Sequence, residues 1–249
     1  LIERVVLLDK LRETRALIGF QRIDVQAQHQ LDPGVLKQMM TGNENADWLP
    51  AHIVRGEGIF IKFNDNLLNE WEGRPGATEH FGRFNGRVAA LDPRYQDGGL
   101  NARFIMLHTL AHLLIRRLTY NCGYGSSSLR ERIYCHNANP QNPMNAIVIY
   151  TASGDSEGSL GGLVKQGEPG FLERIFREAL YEAEWCSADP VCADLSHEGG
   201  QGPNSVNGAA CHNCALLPET SCESFNKYLD RKFVLDPEGQ VPSLFSLRV

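Results

Sequence analysis

Cys186-x5-Cys192, an 18-residue excursion rich in Gly, Asn and Ser, and then Cys211-His-Asn-Cys214-x7-Cys222 put five of the chain's seven cysteines in its last quarter. Thiols at such spacing suit one chemistry, four thiolates around a tetrahedral zinc ion. A C-x2-C turn aims both sulfurs at one point. Cys222 and either Cys192 or Cys186 would complete the shell. The expected metal ligands are therefore Cys192, Cys211, Cys214 and Cys222, with Cys186 as the alternative. A closed shell of four thiolates is structural, whereas a catalytic zinc keeps one position for water. The competing readings are disulfides or unrelated buried thiols. Disulfides are the weaker of these, because the chain reads as cytosolic and cytosol keeps thiols reduced. Cys122 and Cys135 lie far upstream and are read as core thiols, and His212 is expected to point outward.

His108-Thr109-Leu110-Ala111-His112 places two imidazoles on one helix face, four residues apart, where they can grip one metal. A zinc protease would carry Glu where this chain has Thr109, so the carboxylate for catalysis is missing from that position. The competing reading is a pair of hydrogen-bonded core histidines facing a polar neighbour such as Glu131. His108, His112 and Glu131 are the weak catalytic candidates, and they would serve a hydrolase if they held a second metal. The loop Ser153 to Leu163 follows a strand and is rich in Gly, a context that can cradle phosphate. It lacks the Gly-Lys-Ser/Thr ending of a P-loop, and Asp155 and Glu157 would repel the anion. A tight loop packed against the His helix is the plainer reading. Arg116, Arg117, Arg130 and Arg132 cluster in sequence, and Arg74, Arg83, Arg87 and Arg94 lie upstream. The first four are the DNA-binding candidates through phosphate contacts. An internal ion-pair network around Arg130-Glu131-Arg132 is the equal alternative.

Three segments position these groups. In residues 1–100, Val5, Val6, Leu8 and Leu11 followed by residues 16–20 read as a short helix leading into a strand. A loop is marked by Asp32-Pro33-Gly34 and Gly42-Asn43. Residues 52–63 read as one bulged strand or as strand–turn–strand, and residues 66–72 as a short helix. Residues 73–100, rich in Gly, Arg and Pro, read as a long surface connection, in part helical. In the second segment Ala102 to Leu118 is apolar nearly all round, the mark of a helix buried on most faces. Asn101 caps its start and Asn121-Cys122-Gly123 stops it. Residues 146–150 form a strand. In the third segment Phe171, Leu172, Ile175, Phe176, Ala179, Leu180 and Ala183 recur at helical spacing. That helix would deliver Cys186 and Cys192 to the metal from one side, and residues 224–233 would close the segment as a short helix.

With 249 residues, 42% hydrophobic and 22% charged, the chain has ordinary globular composition and enough apolar content for a core. It does not begin with Met and opens like the middle of a domain, as a C-terminal piece of something larger would. Neither a signal peptide nor a stretch long enough to span a bilayer is evident, so the expected location is cytoplasmic. A net charge of −6 argues against a protein that coats itself in nucleic acid, and leaves room for a local basic patch.

The strings His108-Thr109-Leu110-Ala111-His112-Leu113-Leu114, Cys122-Gly123-Tyr124, Leu129 to Tyr134 and Gly161-Gly162-Leu163 resemble the helicase-associated zinc-binding domain at the C-terminus of Mrf-type DNA-repair helicases. Cys211-His-Asn-Cys214 with Cys222, Asn226 and Leu229-Asp230-Arg231 is similar to that domain's cysteine cluster and closing pattern. Leu11 to Phe20 and Gly56 to Phe60 narrow the likeness to the stand-alone version, the B proteins of bacterial DISARM anti-phage systems. The resemblance implies a helicase-like DISARM A subunit as partner, with DNA bound by the pair and ATP hydrolysis left to the partner. It also implies four cysteine ligands for Zn2+, where this sequence offers five.

The expected fold class is thus mixed α/β (α+β), with a central buried helix, a small sheet and a C-terminal zinc-bound segment. The expected divisions are 1–100, an N-terminal α/β portion; 101–235, the zinc-binding domain; and 236–249, a tail. The expected function is a zinc-binding accessory subunit of an anti-phage complex, not itself an enzyme. A metal-dependent hydrolase and a protein-only scaffold are the alternatives.

Overall fold

A computed structural model of the chain describes residues 1–18, 33–91, 100–125, 127–136, 143–151, 162–196, 199–236, 239 and 241–245. The Gly-rich loop at 153–161, Arg94 and the end of the Leu11–Phe20 string lie outside the described residues.

The architecture is mixed α+β. Four antiparallel strands form one sheet in the order β1-β2-β4-β3: β1 (Ile2–Ala16), β2 (Ala51–Phe63), β3 (Leu129–His136) and β4 (Met144–Thr151). Strand alternation gives the sheet two faces. Ile59, Ile61, Phe63, Leu129, Ile147 and Ile149 enter the main core, while Val148 and Tyr150 pack on the opposite face with Leu8, Leu11, Phe60 and Tyr134. The inner face meets the long helix α4 (Ala102–Cys122), whose side chains are buried along most of its length. Asn101 caps α4 through its side chain, accepting from the Phe104 amide, and Gly123 at φ 71° ends it in the left-handed conformation. Around α4 lie α2 (Asp65–Glu72), α3 (Pro75–Leu91), α5 (Gly162–Gln166) and α6 (Phe171–Ala183). Among the described residues, no helix is long and apolar enough to cross a membrane.

Four expectations differ from the structure. The N-terminal run is one strand, β1, with no preceding helix; its branched apolar residues pair with β2 across a register shift between Leu8 and Leu11. Pro33 and Gly42, read as loop marks, bracket a helix, α1 (Pro33–Thr41). Pro suits the first helical position and Gly the stop, so the signals were those of helix ends. The connection after residue 73 is chiefly the helix α3. Its buried stripe is Ala77, His80, Phe84 and Val88, and a buried polar His80 hides the period from an apolar count. Residues 224–233 form turns and a short 3-10 helix, Arg231–Phe233, not an α-helix. Phe225, Asn226 and Tyr228 sit at positive φ there, Asn226 bonds both backbone groups of Leu217 through its side chain, and Asp230 accepts from the Lys232 amide, so side chains take up bonding that a helix would keep in its backbone.

Two candidate metal centres

The sulfurs of Cys186, Cys192, Cys211 and Cys214 converge, all within 4.8 Å of one another. Cys186 follows the end of α6, and Cys192 rides on the short helix α7 (Val191–Asp194). Cys211 and Cys214 occupy a turn in which the Cys214 and Ala215 amides donate to the Cys211 carbonyl. The Cys186–Cys211, Cys192–Cys214 and Cys211–Cys214 sulfurs are 3.5, 3.8 and 3.8 Å apart. Four thiolates at about 2.3 Å from one zinc ion would be about 3.8 Å apart along the edges of the tetrahedron. Disulfide sulfurs would be about 2.05 Å apart. The cluster therefore fits a tetrahedral zinc and not a pair of bridges.

Backbone and side-chain N–H groups point at the same sulfurs. The Cys211 amide donates to Cys214 Sγ at 3.2 Å, the Ala188 amide to Cys186 Sγ at 3.4 Å, and Gln201 Nε2 to Cys192 Sγ at 3.4 Å. The hydrogen bond from Cys214 brings the Cys192 thiol down to about 6. That bond raises Cys214, and burial pushes Cys186 up to about 11. The Cys192 thiol ionises readily by itself, and shedding the protons of Cys186 and Cys214 calls for a cation.

This grouping differs from the expected ligand set. Cys186 and Cys192 both join the cluster, and Cys222 does not. The 3-10 turn Glu219–Ser221 carries Cys222 away from the knuckle and down to α4. There Cys222 Sγ lies 3.2 Å from His108 Nε2. His212 is exposed, as expected. Cys122 and Cys135 sit apart from both groups, and burial pushes them up to about 11 and about 12.

A second convergence surrounds Cys222. His108 and His112 Nε2 approach Glu131 Oε1 at 2.9 and 3.3 Å, and the four side-chain donors of His108, His112, Glu131 and Cys222 lie within 4.8 Å of one another. All four residues are buried. Two turns of α4 supply the imidazoles, and β3 turns Glu131 inward, opposite Ile149. The Glu131 carboxyl is subject to two opposing effects. Burial would raise it, and the facing imidazoles more than reverse this, holding it below the usual carboxylate range. Burial also lowers His108. The sequence pattern foresaw the Glu131 neighbour; it gave no sign of Cys222 there.

Other polar groups that fasten the cysteine segment were missed. Asp230 is buried and accepts from His80 Nε2 at 2.9 Å, Ser196 Oγ at 2.5 Å, and the Ala209 and Lys232 amides at 3.1 and 3.0 Å. Its own amide donates to Thr109 Oγ1 on α4. Arg231 donates to the Ala183 carbonyl at the end of α6 and pairs with Asp189, which also accepts from the Cys186 amide. The Leu229-Asp230-Arg231 string was the only signal for these, and its roles are invisible without the fold.

The arginines divide by task. Arg116 donates to the carbonyls of His212, Asn213 and Leu216, and so ties α4 to the cysteine turn. Arg117 pairs with Glu178 and Glu182 of α6. Arg132 is exposed and pairs with Glu223. The register sets Arg130 and Arg132 opposite Tyr150 and Val148, on the outer sheet face.

Three of the strings that carried the resemblance meet at one buried carboxylate. Glu57 of β2 accepts from Tyr124 Oη at 2.9 Å and from the Leu163 and Val164 amides at 3.0 and 3.4 Å, at the start of α5.

Comparison with known proteins bears out that resemblance. Residues 110–215 match the family model of the MrfA Zn-binding domain. The four clustered cysteines fall inside this range, while His108 and Cys222 lie outside it. DISARM protein DrmB of Bacillus paralicheniformis (strain ATCC 9945a / NCIMB 11709 / CD-2) is 38% identical over 240 residues, which is 93% of this chain and 40% of that protein. The chain thus spans 40% of the length of that relative.

Proposed function

We propose that this chain is the zinc-stabilised module of a DISARM-related accessory subunit that helps a helicase-like partner, the DISARM A subunit, to hold DNA. The observation that carries the reading is the four-thiol cluster at tetrahedral spacing inside the matched zinc-binding range. Zn2+ held by Cys186, Cys192, Cys211 and Cys214 would pin the cysteine segment to α6 and α4, and its chemistry there is structural. Catalysis of ATP hydrolysis belongs to the partner in this reading, and the site of action is the cytoplasm. The division at residues 101–235 is kept as the zinc-binding unit, with the strands of residues 1–100 completing its sheet.

Of the four arginines first considered for DNA, Arg130 and Arg132 have the position for phosphate contact. They flank an open face that also presents Phe60 and Tyr134. Arg116 and Arg117 are engaged with backbone carbonyls and α6 glutamates, whereas the ion pair of Arg132 with Glu223 is solvent-exposed and open to exchange for a phosphate. The test is DNA affinity of the complex with its helicase-like partner across a salt series. Arg130→Glu with Arg132→Glu should weaken binding about tenfold or more and flatten the salt slope by about one to two units. An unchanged affinity and slope would leave the protein-only scaffold as the reading.

A further inference from the structure

We propose that His108, His112, Glu131 and Cys222 form a second metal centre, a closed four-ligand site for zinc. It shares no ligand with the four-cysteine site.

The donor set is two imidazoles, one carboxylate and one thiolate, each a customary zinc ligand. The carboxylate and the thiolate together bring the two negative charges that one divalent cation cancels. The spacing comes near to that of a zinc shell, with the two edges at His108 shorter than a bound ion would set them. Zinc–nitrogen and zinc–oxygen bonds of about 2.0–2.1 Å put neighbouring ligand atoms about 3.3 Å apart in a tetrahedron, slightly more where sulfur is involved. His112 Nε2 to Glu131 Oε1 is 3.3 Å, His108 Nε2 to Cys222 Sγ is 3.2 Å, and His108 Nε2 to Glu131 Oε1 is 2.9 Å.

Neighbouring groups hold the ligands as metal ligands are usually held. His112 Nδ1 donates to the Ala215 carbonyl at 2.8 Å, which leaves the Nε2 lone pair facing the cluster. The Asn226 amide donates to Cys222 Sγ at 3.2 Å, a bond that favours thiolate. Glu131 Oε2 is fully buried and has no hydrogen-bond partner of normal geometry. A buried carboxylate short of partners is costly, by about 1–3 kcal/mol or more, and a cation at Oε1 would neutralise the charge that the two oxygens share. Burial of all four residues leaves no way in for a substrate, so the centre is structural and not that of a hydrolase.

The test is zinc content together with X-ray absorption of the purified protein. The expected result is two zinc equivalents attributable to this chain. Nitrogen or oxygen at about 2.0 Å should appear beside sulfur at about 2.3 Å. Cys222→Ala should lose one equivalent and leave a sulfur-only shell. Cys211→Ser should lose the other and enrich the mixed shell. A sulfur-only shell in the unmodified protein, with full zinc retained by Cys222→Ala, would overturn the proposal and make the cluster a hydrogen-bonded polar knot. The shell of the unmodified protein decides the question even where Cys222→Ala fails to fold.

Discussion

Asp230 joins five parts of the chain through one side chain and its own amide: α3, α4, Ser196, Ala209 and the Arg231–Phe233 turn. A buried charge so fully hydrogen-bonded is expensive to remove, because its partners lose theirs as well. Asp230→Ala should destabilise the protein by about 3–5 kcal/mol in urea unfolding. Burial works against the Asp230 carboxylate, yet the bonds from His80 and Ser196 hold its pKa below the ordinary value. The sign follows from that direction. Its contribution is fully present above the unfolded aspartate pKa of about 3.9 and is lost as pH falls through the lower folded value. The stability gap between the unmodified chain and Asp230→Ala should therefore be flat above about pH 5 and shrink in stronger acid. A gap that grows in acid would overturn this assignment.

At the scale of elements, the end of β4 at Thr151 can lie close against β2 because Gly56 has no side chain. A Cβ there would sit 2.2 Å from the Thr151 carbonyl oxygen, a backbone atom held by the sheet. Gly56→Ala should cost more than about 3 kcal/mol and lower the melting temperature accordingly, since overpacking against fixed backbone is not relieved by rotamer change. Unaltered melting would show that the β2–β4 pairing is looser than its register indicates. Much of this level was legible in the sequence. The run from Ala102 with Asn101 before it and Gly123 after it announces α4, and Phe171 to Ala183 announces α6. The failures have a common physical source. His80 in α3 and Asn226 and Asp230 near the C-terminus are polar groups satisfied by distant partners, so local periodicity and local propensity both misread them. Cys222 belongs with these: spacing placed it beside Cys214, and a three-residue turn sent it to α4 instead.

For the whole molecule, the sheet and α4 form a hydrophobic body, while the segment from Cys186 to Asp236 is largely turns and short helices. Such a segment has little regular structure of its own; it rests on Val206, Tyr228, Phe233 and Val234 packed into the main core and on the four-cysteine cluster proposed to hold zinc. Stripping zinc from the four-cysteine site with a chelator should raise amide exchange there about tenfold or more while β2 and β4 stay protected. Uniform loss of protection across the chain would show that the two parts do not unfold separately.

The hydrogen bond from His112 to the Ala215 carbonyl joins the two centres, because Ala215 directly follows Cys214. Ordering the cysteine turn orients an imidazole of the other site, and fixing that imidazole steadies the turn. With zinc in both proposed centres, filling either should favour filling the other, and thermodynamics makes the help mutual: each ion would tighten the other by the same factor. In zinc-poor surroundings the half-loaded chain should be rarer than two unconnected sites would make it.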